Sequence, residues 1–204
     1  MNKIIKIGKI NTSKTELVDI AKAWLAISLA FAFIYSGVRL FNALELFTIN
    51  FLTILIVSLF TAGLGFLLHE LAHKFAAQHY GCVAEFRAYN QMLFLAVGLA
   101  ALIGFIFAAP GAVMISGMIT RKENGVISAA GPMTNYTLAL IFFSLSFLYP
   151  AMNFVWMTGF GINLWLGLFN MLPFGNFDGK KILNWNRYIW AGMVGFGVYF
   201  LFFF

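Results

Sequence analysis

Residues 50–75 read NFLTILIVSLFTAGLGFLLHELAHKF, and the reading of the whole chain turns on them. From Asn50 to Leu68 no side chain can ionise; then His69, Glu70, His73 and Lys74 arrive together. An apolar run of this length is long enough to cross a bilayer as a helix. Ionisable groups at the end of such a run are costly, and by default they are functional.

The composition agrees with a membrane setting. The 204 residues are 62% hydrophobic and only 10% charged, with 25 phenylalanines, whereas a soluble domain carries about 25% charged residues. The fold class expected is an all-α polytopic membrane protein. Spans are expected near 21–40, 48–76, 126–149, 152–173 and 187–204. A sixth apolar stretch at 91–119 makes the count five to six transmembrane helices. The net charge of +6 is assigned to loops and lipid headgroups rather than to nucleic acid. Residues 1–20, studded with lysine and lacking a cleavable leader pattern, are expected to be a cytoplasmic or interfacial tail. Cys82, the single cysteine, is expected to be an inert, partly buried thiol.

The basic residues decide how 91–119 runs. If this stretch returns to the side it came from and the N-terminus is cytoplasmic, twelve lysines and arginines are cytoplasmic and only Arg39 is outside. If it crosses once, the split falls to seven against six. The positive-inside bias favours the first arrangement. Residues 91–119 are therefore expected to form a membrane-dipping hairpin or two tilted passes. Its second half, AAPGAVMISGMIT, suits extended backbone, with Pro110, four β-branched residues and flanking glycines. Extended backbone at membrane depth needs protein or a wet cavity around it.

HELAH is H-E-x-x-H. On a helix, His69 and His73 stand one turn apart on one face, so both imidazoles can reach one ion. Glu70 lies about 100° round, suited to hold a water beside a metal. Imidazoles with a carboxylate suit zinc. The plainer alternative is two interfacial histidines and a glutamate reaching for water. A third ligand is needed, and His79, Glu85, Glu123 and Asp178 are the candidates. His79 falls on the wrong helix face. Glu85 and Glu123 sit among Arg87, Arg121 and Lys122, which they are expected to pair with. Asp178 follows NMLPFGNF, where Pro173 and Gly175 end a helix, and the charge count brings it to the same side as HELAH. Asp178 is the expected third ligand.

HELAH, then AAGPMTN (129–135), then NMLPFGNFDG (170–179), together resemble the site-2 protease family of intramembrane zinc metalloproteases. The resemblance covers about residues 50–185, and Asn170, Pro173, Asp178 and Gly179 fill the family's second signature at full spacing. It implies a single transmembrane metalloprotease domain over 21–204 with one Zn2+ held by His69, His73 and Asp178. It also implies Glu70 as catalytic base, and Asn135 beside the zinc water or the oxyanion. Asn170 is a second candidate for oxyanion or active-site support. Both asparagines also have structural readings, Asn135 as a helix cap after Gly-Pro and Asn170 as a helix–helix contact. The family's membrane-dipping β-hairpin would present an edge strand to substrate, here Gly111, Ala112, Val113 and Met114. Residues 91–109 form a longer apolar segment than compact members carry there, and the PDZ and CBS domains of some relatives are not expected.

The function expected is an intramembrane zinc endopeptidase of the cell membrane, with its catalytic end cytoplasmic and single-span or membrane-anchored proteins as substrates. Asn135, Asn163, Asn170, Asn176 and Glu70 are expected to wet its cavity. The alternative is a catalytically silent zinc-binding scaffold or a transporter.

Overall fold

The computed structural model describes residues 4–7, 10–106 and 110–204. Lys3 and Lys9 of the charge count, and residues 107–109 of the dipping segment, lie outside the described residues. Four helices are long and apolar enough to cross a membrane: Lys14–Ser36, Ile49–His79, Arg121–Leu148 and Pro150–Phe169. Asn90–Ile103 and Arg187–Phe203 are shorter apolar helices. With two small two-stranded sheets, this is the all-α polytopic architecture with a short β segment. The chain divides into two compact units, residues 1–67 with 85–114 and residues 68–84 with 115–204.

In the first unit, β1 (Ile4–Ile7) pairs antiparallel with β2 (Ile10–Ser13), and α1 (Lys14–Ser36) follows at once. The expected tail is thus a hairpin, and the first helix begins seven residues before position 21. Ser13 caps it by accepting the Glu16 N–H, which satisfies one of the orphan donors of the first turn. Glu16 itself is fully buried. Its carboxylate accepts the Thr12 hydroxyl at 2.7 Å and the Phe86 N–H at 2.9 Å.

After a 3-10 turn at Leu40–Phe47, α2 (Ile49–Ser58) runs through a π turn (Leu59–Gly63) into α3 (Leu64–His79). The Leu64 N–H bonds the Leu59 carbonyl five residues back, and the Trp24 indole donates to the same oxygen at 3.0 Å. The continuous helix has 31 residues. At 1.5 Å per residue it is about 46 Å long, longer than a hydrocarbon core of about 30 Å.

β3 (Val83–Ala88) pairs with β4 (Gly111–Ser116), and α4 (Asn90–Ile103) lies between them in the chain. The Tyr89 N–H donates to the Pro110 carbonyl at 3.0 Å, so the excursion from 90 to 109 leaves and returns at one point. A helix of 14 residues is only about 21 Å long. α4 by itself is thus shorter than the roughly 20 residues a full membrane crossing needs. α4 packs on α1 through Ala100 and Ala101 against Ala30 and Phe33.

In the second unit, α5 (Arg121–Leu148) opens with a capping box. The Thr120 hydroxyl accepts the Glu123 N–H, and the Glu123 carboxylate accepts the Thr120 N–H at 2.7 Å. Glu123 is therefore a cap and not the expected partner of Arg121 or Lys122, whereas Glu85 does pair with Arg87. α5 continues through Gly131 and Pro132, which puts Asn135 in mid-helix rather than at a helix start. It packs on α6 (Asn153–Phe169) and α7 (Asp178–Trp185), and both pack on α8 (Arg187–Phe203). Tyr136, Phe142, Phe160, Leu164, Ile182 and Met193 form the core. Phe200 joins it, while Phe202 and Phe203 are exposed. Cys82 is a buried free thiol.

Candidate metal centre

α3 holds His69 and His73 one turn apart, and both are buried. Their Nε2 atoms stand 3.0 Å from each other, with the rings nearly perpendicular. Asp178 Oδ2 lies 3.4 Å from His69 Nε2 and 3.0 Å from His73 Nε2. Among the described residues, these three form the group of side chains that could hold a metal ion.

The outer nitrogens explain the inner ones. His73 Nδ1 lies 2.8 Å from the Ile127 carbonyl, and His69 Nδ1 lies 2.5 Å from Asn135 Oδ1. A carbonyl oxygen only accepts, so His73 carries a proton on Nδ1, and Nε2 is the nitrogen that faces Asp178 and would meet a metal. The Asn135 oxygen imposes the same on His69. Two bare nitrogens and a carboxylate oxygen crowded together repel unless a cation or protons lie between them. Outer nitrogens tied to acceptors are also how metal-bound histidines are ordinarily oriented.

The junction after α6 delivers Asp178. Asn170 ends that helix, and its carbonyl accepts the Gly179 N–H at 2.7 Å. A β-carbon on Gly179 would sit 2.1 Å from the Met171 carbonyl oxygen, so only glycine allows α7 to begin this close. The Trp190 indole N–H on α8 donates to the same Met171 carbonyl at 2.9 Å. Residues 171–178 thus form a loop with closed ends, which sets the Asp178 carboxylate on the histidines. Lys181 stands 3.5 Å from Oδ1, the oxygen facing away from them. Burial alone would raise the Asp178 carboxyl, but the His73 and His69 imidazoles outweigh it and hold the group well below the usual carboxylate range.

Gly131 supplies the space. A β-carbon there would sit 2.4 Å from His73 Nε2 and 2.6 Å from His69 Nε2. This cradle, the converging donors and the tied outer nitrogens all fit a metal ion.

The remaining sequence candidates fall as follows. Glu70 is half-buried on α3 beside His69. Asn135 is fully buried on the Nδ1 side of His69. The Asn170 amide donates to the Leu166 carbonyl of its own helix at 2.9 Å. Gly111–Met114 form the first part of β4, in the first unit. His79 is exposed and rests edge-on against Tyr80. Asn163, expected to wet a cavity, is fully buried and bonded to Asn135 and to the Gly159 carbonyl. Lys74, counted as a cytoplasmic charge, is buried as well. Sequence reasoning missed the parts played by Gly131 and Ile127. A glycine just before Pro132 gives no hint that two imidazoles lean on it, and a backbone carbonyl leaves no residue signature.

A protein of Methanocaldococcus jannaschii, provisionally named a zinc metalloprotease, is 39% identical over 198 residues, covering 93% of this chain and 96% of its own. The chain belongs to that protein's family. That relative's name and the buried His69, His73 and Asp178 group of this chain both point to a bound metal. No family model matches this chain, and no solved structure matches it significantly.

Proposed function

We propose that the protein is an intramembrane zinc endopeptidase of the site-2 protease type, cutting membrane-anchored proteins within or near their transmembrane segments. The observation that carries this reading is the geometry of His69, His73 and Asp178. Their three donor atoms converge and both Nδ1 atoms are tied back, at the end of a 31-residue apolar helix.

In this reading His69 Nε2, His73 Nε2 and Asp178 Oδ2 hold one zinc ion and leave a position open for water or substrate, as catalytic sites do. When bound, zinc acidifies water and polarises a carbonyl. Glu70 takes a proton from the attacking water and returns it to the leaving amide nitrogen. Asn135, with its oxygen on His69, holds a ligand in place. The twelve-to-one distribution of basic residues puts the HELAH end on the cytoplasmic side, where water is at hand.

A substrate helix must open before it can be cut, because its carbonyls are bonded internally. Pairing with a free sheet edge trades those bonds for ladder bonds. The outer edge of β3 is taken at Phe86, whose N–H goes to Glu16 and whose carbonyl accepts the Arg87 guanidinium. This leaves β4, and Gly111–Met114 within it, to receive an extended substrate.

The test is reconstitution in liposomes with a single-span protein. One zinc per chain and cleavage abolished by chelation are expected. Zinc bound at one per chain without cleavage of any single-span protein tried would favour the scaffold.

A further inference from the structure

Behind His69 lies a chain of amides that ends on a backbone oxygen. Asn135 Nδ2 donates to Asn163 Oδ1 at 3.1 Å, and Asn163 Nδ2 donates to the Gly159 carbonyl at 2.9 Å. Both asparagines are fully buried. Each link has only one workable direction. The Gly159 oxygen can only accept, so Asn163 must turn its NH2 toward it and its oxygen toward α5. Asn135 must then give its NH2 to that oxygen, which turns its own oxygen to His69. His69 Nδ1 faces an acceptor and must carry a proton, so in the neutral ring Nε2 is the nitrogen left bare.

We propose that Asn163 is a positioning residue that sets the His69 tautomer through Asn135, with the Gly159 carbonyl as the fixed reference. This inference rests on the metal-site reading above, although the tautomer itself can be read without metal. The two histidines reach the same state by different routes. His73 uses a backbone carbonyl directly, at Ile127, which cannot turn over. His69 uses a side-chain amide, which can. An asparagine presents oxygen or NH2 with nearly the same shape. If it turned its NH2 to His69 Nδ1, the imidazole proton would move to Nε2, in the position meant for the ion. Asn163 makes that turn unfavourable, since it would set the Asn135 and Asn163 oxygens face to face in a buried place, where unmet polar groups are costly.

Asn163 sits on α6, in GINLW, on a helix that carries none of the three candidate ligands. It does not face the ion, so its removal leaves the donor set intact. Partners at one remove from a metal ligand typically matter 10- to 100-fold in affinity. For Asn163→Leu, about a tenfold loss of zinc or cobalt affinity is expected. Asn163→Asp keeps an oxygen for Asn135 but loses the donor to the Gly159 carbonyl, so it is expected to hold the His69 tautomer at a cost in stability.

The deciding measurement is nitrogen NMR on metal-free protein labelled at histidine, in alkaline buffer. The chain has three histidines, which keeps the spectrum assignable. Wild type is expected to hold His69 with its proton on Nδ1. Asn163→Leu is expected to populate the Nε2–H form at His69 while His73 keeps its wild-type pattern. Asn163→Asp is expected to restore His69. A His69 tautomer unchanged in Asn163→Leu overturns the proposal, whatever the affinity does. Equal disturbance of both histidines also overturns it, because the residue would then serve packing alone. If Asn163→Leu does not fold, Asn163→Asp decides: the Nδ1–H form of His69 kept there supports the relay, and its loss in a folded protein overturns it. Failure of the zinc reading would look different, as wild type with the assigned tautomers but no stoichiometric metal.

Discussion

The α-carbon of Gly131 closes directly on the His73 imidazole, leaving no room for even one more carbon atom. A β-carbon there would stand 2.4 Å from Nε2, and 2.6 Å from the corresponding atom of His69. Gly131→Ala is therefore expected to push the two rings apart and lower zinc affinity at least tenfold. Alanine is a better helix former than glycine, so α5 should keep its stability. Chelator competition paired with thermal unfolding of the metal-free protein would separate the two effects.

Gly179→Ala should behave differently. Its β-carbon would meet the Met171 carbonyl oxygen at 2.1 Å, a backbone atom that cannot swing aside. The junction between α6 and α7 must open, at a cost of about 1–3 kcal/mol for overpacking, and Asp178 moves with it. Loss of both metal and thermal stability is expected, measured on the same preparation as Gly131→Ala.

Glu70 and Asp178 are separable by what they leave behind. Glu70→Gln is expected to retain one zinc per chain and lose cleavage, because glutamine cannot take a proton. Asp178→Ala is expected to lose the metal as well. Metal analysis alongside cleavage of a co-reconstituted single-span protein checks both, and wild-type cleavage by Glu70→Gln would remove Glu70 from the chemistry.

Acid should release the ion through the histidines. Protons and metal compete for the same Nε2 atoms, while the Asp178 carboxyl is held well below the usual range and stays ionised. The sign follows: each imidazole must lose a proton to bind, so affinity falls as pH falls and recovers as it rises. A titration of zinc affinity against pH reads this, and a pH-independent affinity would contradict it.

Glu16 gives a stability prediction away from the metal. Replacing it with alanine leaves the Phe86 N–H and the Thr12 hydroxyl without its carboxylate, a loss of about 1–3 kcal/mol for each buried group left unpaired. A lower midpoint in thermal unfolding is expected, with zinc stoichiometry unchanged.

What could be read from the sequence depended on how local the signal was. His69 and His73 declare themselves through a four-residue spacing on a helix. Asp178 could be reached because charge, proline and glycine all constrained its depth. β3 escaped because Val83–Ala88 is short and carries Glu85 and Arg87, and its partner strand begins more than twenty residues later. The π turn has no side-chain pattern of its own and depends on Trp24 from another helix. Thr120 and Glu123 did carry the capping-box spacing, but the neighbouring Arg121 and Lys122 drew attention to ion pairing instead. Asn163 stood out as polar in an apolar helix. Only its partners on α5 and at Gly159 distinguish a wet residue from a dry one.

The distance between the two ligand-bearing segments has a consequence during synthesis. Asp178 enters the chain about 100 residues after His73, and it reaches the histidines only once the junction at Asn170 and Gly179 has closed. A nascent chain that has inserted HELAH holds two ligands of three. Until its last quarter has been made and folded, the proposed protease carries its base beside an incomplete site.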